Sequence, residues 1–597
     1  MHCVFLLSSP PAAAFTILAA LWPGFGGIVP QVVYVDASAP GLSNGASWLT
    51  AYTRLEDALA AHPGPGVVFH VADGEYRPDG ATGNRVDSFM VGSGVAILGG
   101  FAGDGAPDPD FRDPLAFETI LTGDIGVPGQ SADNSFHVVR IAAGDGTTLD
   151  GLFIKSGRAD AAFPNDRGGG LSVSSGSPTI RNCRFDYNRA TSGGAVDLGN
   201  AVSAQFIGCH FLVNRAYGNG GAVYALGANP NFIGCSFVEN TADLSGGAVF
   251  SFGVGIAFAN CVFSENSSMI FGGGIYSSTG LCTITGCEFA GNIMLNSLNV
   301  VYDGGGALYN DAGTMTVLDS ALHDNLSGDD GGAVLAKGGM TVLERCMVRN
   351  NWANDRGGGV YATDGTLEIR SCAFDANVGL SGGGAIFNFN EITTARRSTV
   401  FANESNGTGG GVHMAGGSLL LESCILWSNV DSSGTNEASQ VRLVAGSVTV
   451  NSSCMMGWSG VFNGSGNILT GPQFIDGDGP DNIPGTPDDN LRLRPTSPCI
   501  NLGDPGVNAT PEMTDLDGRP RVMGCRLDMG AYEYLTGPAN SGDMNGDGLI
   551  DGRDLTGFVG ALLGSGPAAY YCVADLNSDL TVDEVDTDLM TQLLLAN

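Results

Sequence analysis

Cysteines recur along this chain with a period of 26 residues, and this repeat limits the possible folds more than any other feature of the sequence. One interval, from Cys287 to Ser320, has 33 residues because seven are inserted. An asparagine follows five residues after every position of the series. A period of about 20–50 residues is typical of solenoids and other arrays, in which each unit packs on its neighbours. The series is Cys183, Cys209, Cys235, Cys261, Cys287, Ser320, Cys346, Cys372, Ser398 and Cys424, and the asparagines are Asn188, Asn214, Asn240, Asn266, Asn292, Asn325, Asn351, Asn377, Asn403 and Asn429.

Each repeat contains two short apolar runs, such as residues 205–211 and 221–224, separated by Gly and Asn. Neither run has the period of a helix, so both indicate strands. If one repeat forms one coil, equivalent residues stack at about 4.8 Å and columns of like apolar side chains fill the interior. The expected core columns are Ile180, Phe206, Phe232, Phe258, Ile284, Val317, Leu343, Ile369, Ala395 and Leu421, and Phe185, Phe211, Phe237, Phe263, Phe289, Leu322, Val348, Phe374, Val400 and Leu426.

The asparagine column is predicted to mark a turn. Asn tolerates left-handed backbone angles and can bond its own backbone or the Asn of the next coil. The cysteine column is predicted to hold free buried thiols, because parallel side chains in register keep their Cβ atoms further apart than the roughly 3.8 Å of a disulfide. Outside the series, Cys499 and Cys525 are candidate disulfide partners.

The chain is strongly acidic, with 61 acidic and 26 basic residues and a net charge of −35. Phosphate binding needs a basic surface, so the composition argues against nucleic acid as a partner. Acidic polysaccharide is disfavoured unless metal ions bridge. A soluble, acidic surface suits an extracellular protein that gathers divalent cations.

The N-terminal region indicates secretion. Residues 11–22 form an apolar run typical of a signal peptide and too short to span a bilayer, and no other segment approaches 18 apolar residues. The spacing of Thr53 and Glu56 matches a capping box and predicts a short helix with Leu55, Ala58 and Leu59 on one side, which covers the open end of the solenoid. The expected organisation is a signal peptide at 1–30, an N-terminal cap and first coils at 31–167, regular repeats at 168–455, a C-terminal end region at 456–536 and a separate module at 541–597.

Several segments carry a resemblance to a known family. They are YVDASAPGLSNGASWLTAYTRLEDALAA, which begins at Tyr34, VVFHVADGEYRP, ILGGFAGDG, LRLRPTSPCINLGDPG at 491–506, DLDGRPR at 515–521 and LDMGAYEY at 527–534. These resemble bacterial secreted proteins of the pectin-lyase-like superfamily, and the GGA[VIL] and FxxN repeats are similar to those of polymorphic outer-membrane proteins. The resemblance implies an all-β, right-handed parallel β-helix, and the repeat period gives it about 26 residues per coil. It implies no particular activity, because this fold hosts lyases, hydrolases, esterases and adhesins.

Two acidic loops near the C-terminus have the spacing of calcium ligands. Oxygen ligands at positions 1, 3, 5, 9 and 12 of a twelve-residue loop, with a backbone carbonyl at position 7, suit Ca²⁺ because alternate residues of a tight loop point inward. Gly548 stands where the first loop must turn sharply, whereas Leu580 replaces the equivalent glycine in the second. The predicted ligands are Asp543, Asn545, Asp547, Leu549, Asp551 and Asp554, and Asp575, Asn577, Asp579, Thr581, Asp583 and Asp586.

Each loop leads into a predicted helix, and the pair resembles an EF-hand-like dockerin type I module. The resemblance implies Ca²⁺ binding and docking to a cohesin-like partner. The chain departs from many dockerins at loop positions 10 and 11, where Gly552-Arg553 and Glu584-Val585 replace a pair of small hydroxyl residues. That departure leaves calcium binding intact and the identity of the partner open.

An aspartate column is the candidate for catalysis. Asp303, Asp329 and Asp355 each stand four residues before the repeat's alanine position on three consecutive coils, with Asp330 and Arg356 beside them. Paired carboxylates near a basic residue are what a polysaccharide lyase or hydrolase of this fold needs. Like charges about 4.8 Å apart repel, so the alternatives are a solvated column or a bound cation.

A column of aromatic residues is the candidate for ligand binding. The same column contains Asp197 and His413, which indicates that it faces outward. An exposed aromatic ladder would stack on sugar rings, whereas the alternative is that the rings pack beneath the variable loops. The column comprises Tyr224, Phe250, Tyr276, Tyr309, Tyr361 and Phe387.

These features predict a secreted or cell-surface, monomeric β-helix protein that binds carbohydrate or another surface ligand. Its module would attach it, with Ca²⁺, to a cohesin-like partner. The alternative is an enzyme of polysaccharide catabolism, a lyase or glycoside hydrolase, that acts along the Asp303–Asp355 face. No lyase or polygalacturonase motif and no Ser/His/Asp set is discernible among seven histidines.

Overall fold

A computed structural model describes residues 30–40, 43–253, 255–295, 303–507, 513–522, 526–534, 540–565, 568–578 and 581–596. The signal peptide predicted at 1–30 therefore lies almost wholly outside the described residues. Cys525 and the predicted ligand Asp579 also lie outside them, as does Leu580.

A regular coil of the repeat consists of four short strands joined by tight turns. In one coil these are Val223–Leu226, Asn231–Ile233, Ser236–Val238 and Thr241–Ala242. Each strand pairs in parallel with the equivalent strands of the neighbouring coils, so that Phe237 lies between Phe211 and Phe263. The predicted parallel β-helix with about 26 residues per coil is confirmed.

The strands form three stacked sheets along the described part of the chain, and the first sheet takes two strands from each regular coil but one long strand from each of the last two coils. The first sheet contains Gln31–Val35, Val67–Ala72, Phe89–Val91, Ala96–Phe101, Val139–Ile141, Thr148–Asp150, Leu171–Val173, Thr179–Arg181, Val196–Leu198, Gln205–Ile207, Val223–Leu226, Asn231–Ile233, Val249–Phe252, Gly255–Ala259, Ile275–Ser278, Leu281–Thr285, Leu308–Asp311, Thr314–Leu318, Val334–Lys337, Met340–Glu344, Val360–Thr363, Thr366–Arg370, Ile386–Phe389, Ile392–Arg396, Val412–Glu422 and Val441–Asn451. The second sheet contains Gly74–Tyr76, Thr119–Thr122, Leu152–Lys155, Arg184–Asp186, His210–Leu212, Ser236–Val238, Val262–Ser264, Glu288–Ala290, Ala321–His323, Met347–Arg349, Ala373–Asp375, Thr399–Phe401, Ile425–Trp427 and Cys454–Met455. The third sheet contains Arg158–Ala159, Arg189–Ala190, Arg215–Ala216, Thr241–Ala242, Ser267–Ser268, Ile293–Met294, Leu326–Ser327, Trp352–Ala353 and Val378–Gly379.

A few elements lie outside these three sheets. Phe474–Asp476 and Asn490–Leu493 form an antiparallel pair, and Trp48–Thr50 is a short 3₁₀ helix. The α-helices are α1 (Leu55–Ala61), α2 (Glu437–Gln440), α3 (Leu555–Leu562), α4 (Ala568–Ala574) and α5 (Glu584–Ala596). Among the described residues, no helix combines the length and the apolar composition needed to cross a membrane.

The interior of the coils is one continuous apolar core. Both predicted core columns are buried along their whole length. The rings of Phe211, Phe237 and Phe263 stack with centroids 4.6 Å apart from coil to coil. Because every ring has a neighbour above and below, the repeat itself supplies the core packing.

The asparagine column forms a ladder of hydrogen bonds inside the turn. From Asn188 onward, each side-chain amide donates to the Oδ1 of the next Asn, at 2.8 to 3.2 Å, which confirms the predicted contact between coils. Gln440 ends the row by accepting from the Nδ2 of Asn429 at 2.7 Å. The left-handed angle predicted for Asn belongs instead to the residue before it, for example Tyr187 (φ 56°) and Val213 (φ 53°).

The cysteine column holds free, buried thiols, as predicted. Cys183 donates from Sγ to the carbonyl of Arg181 at 3.3 Å, and Ser320 and Ser398 donate to the carbonyl two residues earlier in the same way. Serine therefore preserves a hydrogen bond as well as a small size. Cys499 is also a free thiol, so the suggested disulfide from Cys499 to Cys525 does not form.

Helix α1 covers the N-terminal end of the core. Leu55, Ala58 and Leu59 are buried against it, as predicted. The predicted capping box is absent, because Arg54 occupies the N-cap position and makes no side-chain capping bond. Apolar burial therefore fixes this helix without the cap.

The described residues of 456–534 close the C-terminal end and then run back along the outside of the second sheet. Trp458 and Phe462 pack against the end of the core. Further on, Leu491 and Tyr532 pack against Phe401, a residue of the second sheet. The segment thus covers part of the solenoid's side as well as its end.

The C-terminal module has its own small core. Met544, Phe558, Val573 and Met590 pack together, and the helices predicted after each acidic loop are α3 and α5. Tyr570 contacts both this core and the apolar cluster beneath the C-terminal end of the β-helix. The module therefore packs on the solenoid. Cys572, in α4, is disulfide-bonded.

Candidate functional site

The first acidic loop is organised by its own carboxylates. Asp543 accepts from the backbone N–H groups of Gly546 at 2.8 Å and Gly548 at 2.9 Å. Gly548 has a left-handed backbone with φ of 81°, as the sharp turn requires. Leu549 has an exposed side chain, which suits a residue that would contribute only its carbonyl.

The final carboxylate of each loop makes the same set of bonds. Asp554 accepts from Met544, Asn545 and Asp551 at 2.8, 3.1 and 2.9 Å. In the second loop, Asp586 accepts from Leu576, Asn577 and Asp583 at 2.7, 3.2 and 2.9 Å. The two loops therefore have matching closures, although the second carries Leu580 in place of glycine.

The ligand set fits a hard divalent cation. Asp543, Asp554, Asp575 and Asp586 are buried although they are carboxylates. Arg553 is a basic partner of the first loop: it is largely exposed and pairs with Asp547 at 3.0 Å. Buried carboxylates in a tight loop repel one another unless a cation lies between them, and Ca²⁺ prefers oxygen ligands of this kind.

A second acidic cluster lies on the β-helix. The predicted aspartates stack on consecutive coils: the Asp330 N–H donates to the carbonyl of Asp303 at 3.4 Å, and the Asp355 N–H donates to that of Asp329 at 3.0 Å. Carboxylate oxygens of Asp329, Asp330 and Asp355 all lie within 4.8 Å of one another. The structure thus brings Asp329 and Asp355 of the candidate column together with Asp330, and Asp303 joins the group through its contact with the carboxyl of Asp329.

The electrostatics of this cluster are dominated by burial. Burial, and then the neighbouring carboxyl of Asp303, raises the pKa of Asp329 to about 7. Burial raises the pKa of Asp330 to about 8, although Arg356 opposes the shift. Arg356 bonds both oxygens of Asp330 at 3.1 Å and pairs with Asp355 at 3.0 Å.

The aromatic column faces away from the coil interior, but it is covered. Tyr224 and Tyr276 are 9% exposed, and Tyr309 and Tyr361 are 1% exposed. Neighbouring rings stack on one another, for example Tyr224 on Phe250 at 5.2 Å. The column therefore forms a largely buried cluster beneath the turns, as in the alternative interpretation, and the half-buried Phe250 is stacked between Tyr224 and Tyr276 rather than open to sugar rings.

A cavity that the sequence analysis missed opens on the second sheet. It has a volume of about 350 Å³. Phe153, Arg184 and His210 occupy the same position in three successive strands, and the Arg184 guanidinium lies 4.3 Å from the Phe153 ring centroid. The lining includes Arg112, Leu115, Glu118, Phe153, Arg184 and His210. The residue type at this position changes from coil to coil, so the repeat pattern does not predict the cavity. The signal that could have found it is the outward-facing position directly after each Cys of the series, which holds Arg184 and His210.

Two family models match separate parts of this chain. Residues 541–595 match the dockerin type I domain, and residues 260–278 match the Chlamydia polymorphic membrane protein repeat. A solved structure described as the crystal structure of pectate lyase Pel9A is similar over 85% of this chain and 97% of that chain, with 16% identity and a TM-score of 0.30. No protein with a curated description matches the chain.

The class of protein follows from the strand architecture and from the dockerin match. The chain is a parallel β-helix protein in which a dockerin type I domain follows the β-helix in the sequence.

Proposed function

We propose that this protein is secreted and is attached through its dockerin module, with Ca²⁺, to a cohesin-like partner. The observation that carries the proposal is the pair of loops with matching closures at Asp554 and Asp586, within residues that match the dockerin type I domain. Ca²⁺ would neutralise the buried carboxylates and fix the directions of α3 and α5. The partner would then meet helices held in one orientation.

Each predicted ligand has a defined part in this function. Asp543 and Asp575 are the first ligands of the two loops. Asp554 and Asp586 are the last ligands, at the start of α3 and α5. Exposed apolar side chains on α3, such as Leu555 and Val559, are available for a protein contact. Calcium would act on the partner contact only through the position of this helix.

The experiment measures binding of the full chain to a panel of immobilised cohesin modules, in Ca²⁺ and in chelator. We expect binding to at least one cohesin in Ca²⁺, with loss of the complex in chelator and in a variant carrying Asp543→Ala and Asp575→Ala. Asp588→Ala, on the exposed part of α5 outside the loops, is the matched control and should bind like wild type. Failure of the whole panel in Ca²⁺, or binding that chelator leaves unchanged, would contradict the proposal.

A second candidate function is the binding of carbohydrate or another polar surface ligand by the β-helix. The observation in its favour is the cavity at Phe153, where an aromatic ring lies beside Arg184 and Glu118. Sugar sites combine an aromatic face with a few converging polar groups. The buried aromatic column does not support this function, so the cavity replaces it as the proposed ligand surface.

A glycan array, run beside an assay for reducing sugars and unsaturated products, tests this second function. We expect Phe153→Ala to remove binding to any glycan that the wild type retains. Tyr217→Ala, at an exposed aromatic residue outside the cavity, should leave binding unchanged. Formation of products would instead favour the enzyme alternative at Asp329 and Asp330, whose raised pKa values suit proton transfer.

A further inference from the structure

The acidic cluster on the β-helix contains a carboxylate with no donor. Asp303 is 1% exposed, and neither of its side-chain oxygens has a hydrogen-bond partner in the part of the chain that the structure describes. Its near neighbour is another acceptor, the carboxyl of Asp329. By contrast, the buried asparagines of the ladder bond to the coils on both sides. A buried carboxylate without a donor is strongly unfavourable unless a proton or a cation accompanies it.

Arg356 gives no hydrogen bond to the buried carboxylate of Asp303. Its guanidinium bonds Asp330 and Asp355 and lies 5.2 Å from the ring centroids of both Tyr361 and Phe387, which hold it to one side. The four carboxylates of Asp303, Asp329, Asp330 and Asp355 thus face one guanidinium among the described residues. The guanidinium hydrogen bonds and ion pairs of Arg356 go to Asp330 and Asp355 and not to Asp303 or Asp329.

The location of the cluster is also distinctive. Asp303 follows the seven-residue insertion that interrupts the 26-residue period between Cys287 and Ser320. The carboxylates come from this coil and the next two, so a ligand held between them would connect three coils where the repeat is irregular.

We propose that Asp303, Asp329 and Asp355, supported by Asp330, form a divalent-cation site in the β-helix, with Ca²⁺ as the preferred ion. The donor atoms are all oxygens, which suits a hard cation and disfavours softer metals. The ion would bond the orphan oxygens of Asp303, reduce repulsion along the column and hold the coils together after the insertion. This site is separate from the dockerin loops and does not depend on their function.

The test isolates this site by removing the other one. The full chain carrying Asp543→Ala and Asp575→Ala, which disable the dockerin loops, is freed of metal with chelator and titrated with Ca²⁺ alone by calorimetry. We expect one bound ion per chain and a rise in the unfolding temperature of the β-helix. Adding Asp303→Asn and Asp329→Asn should weaken binding by about tenfold or more, because two ligand charges are lost. Asp364→Asn, an exposed carboxylate outside the cluster, is the matched control.

The outcomes separate a cation site from its alternatives. In chelator, the Asn variant should be at least as stable as its parent, because it removes repelling charges. If the double substitution prevents folding, the single change Asp355→Asn at a half-buried position must still weaken Ca²⁺ binding. Absence of Ca²⁺ heat, or equal affinity in the cluster variants and the control, would overturn the proposal and assign the orphan oxygens to a shared proton.

Discussion

At the scale of single residues, position in the stack matters more than residue type. Phe237 and Tyr276 are both aromatic, but Phe237 points into the core and Tyr276 points outward beneath the turns. Tyr276 also donates its hydroxyl to Asp311 at 2.8 Å. The two columns therefore contribute through different contacts, and both are closed to solvent.

We expect Phe237→Ala to lower the free energy of unfolding by about 3–5 kcal/mol, because the rings of Phe211 and Phe263 above and below cannot collapse into the space. Tyr276→Ala should cost more than the roughly 1.5 kcal/mol expected of an exposed column, because the side chain is buried and hydrogen-bonded. Chemical denaturation measures both values. A loss at Tyr276 as small as that at the exposed control Tyr217→Ala would show that the column is open in solution.

Asp375 provides a pH-dependent contact between the second sheet and the C-terminal segment. Burial, and then the adjacent carboxyl of Asp489, raises the pKa of Asp375 to about 9. The folded chain then keeps a proton that the unfolded chain releases near the ordinary pKa of 3.8. A raised carboxyl pKa means that this contribution is fully present below about pH 4 and is lost as pH rises toward 9.

We therefore expect Asp375→Asn to be more stable than wild type at pH 8, by about 1 kcal/mol or more, with the difference vanishing near pH 4. Thermal unfolding across this pH range measures the effect. Asp364→Asn, at an exposed carboxylate, should give a curve parallel to wild type. A stability difference that does not change with pH would show that Asp375 is ionised in the folded state.

At the scale of elements, the sequence predicts the features that recur in every repeat, and it predicts few of the features formed by the variable turns. The core columns, the Asn ladder and α1 could be predicted because period and apolar pattern determine them. The prediction assigned the left-handed backbone angle to the Asn, whereas the structure has it at the preceding residue of the same turn. The exposure of the aromatic column could not be predicted, since covering it depends on how turns such as the one carrying Phe271 fold over the sheet.

The candidate sites divide in the same way. The calcium ligands follow a local spacing within twelve residues, so sequence alone predicts the loop that Asp543 and Asp554 close. The three aspartates share a repeat position, so their stacking could also be predicted. The orphaned oxygens of Asp303 and the cavity at Phe153 could not, because burial and distant chain segments create them.

For the dockerin module, we expect Ca²⁺ to slow hydrogen exchange in α3 and α5 of the full chain while exchange in the β-helix strands of regular coils stays the same. Ca²⁺ binds the folded loops and not the unfolded ones. A Ca²⁺ concentration about a hundredfold above the Kd would therefore add about 2.7 kcal/mol to the free energy of local unfolding of the module. Asp543→Ala with Asp547→Ala should remove this protection from α3. The full chain is the proper material, because Tyr570 also packs against the end of the β-helix.

A sharper comparison uses the difference between the two loops. The second loop has leucine where the first has Gly548, so we expect the first loop to bind Ca²⁺ more tightly. Substitution of Asp543 and Asp547 should therefore weaken total binding more than substitution of Asp575 and Asp579. The same exchange rate with Ca²⁺ and with chelator would show that the module is held closed without an ion.

At the scale of the whole molecule, the segments before and after the coils both pack on the β-helix. Helix α1 covers the first coils, and the described residues of 456–534 close the last coils and run back along the second sheet. Arg521 lies fully buried in that returning segment. It donates to the carbonyls of Gly530 at 2.6 Å and Arg397 at 3.2 Å, and it pairs with Glu533 at 3.0 Å. One guanidinium thus joins the returning segment to the β-helix.

We expect Arg521→Ala to lower the free energy of unfolding of this segment by about 3–5 kcal/mol, because loss of the cation leaves buried acidic groups, Glu533 among them, without it. Limited proteolysis should then cleave within 513–522, while the coils around Cys235 remain protected. Arg519→Ala is the matched control: its side chain is 33% exposed and pairs with Asp517 at 3.1 Å, so its loss should cost less than about 1 kcal/mol. If both variants resist protease equally, apolar contacts such as Tyr532 against Phe401 hold the segment on the second sheet without help from Arg521.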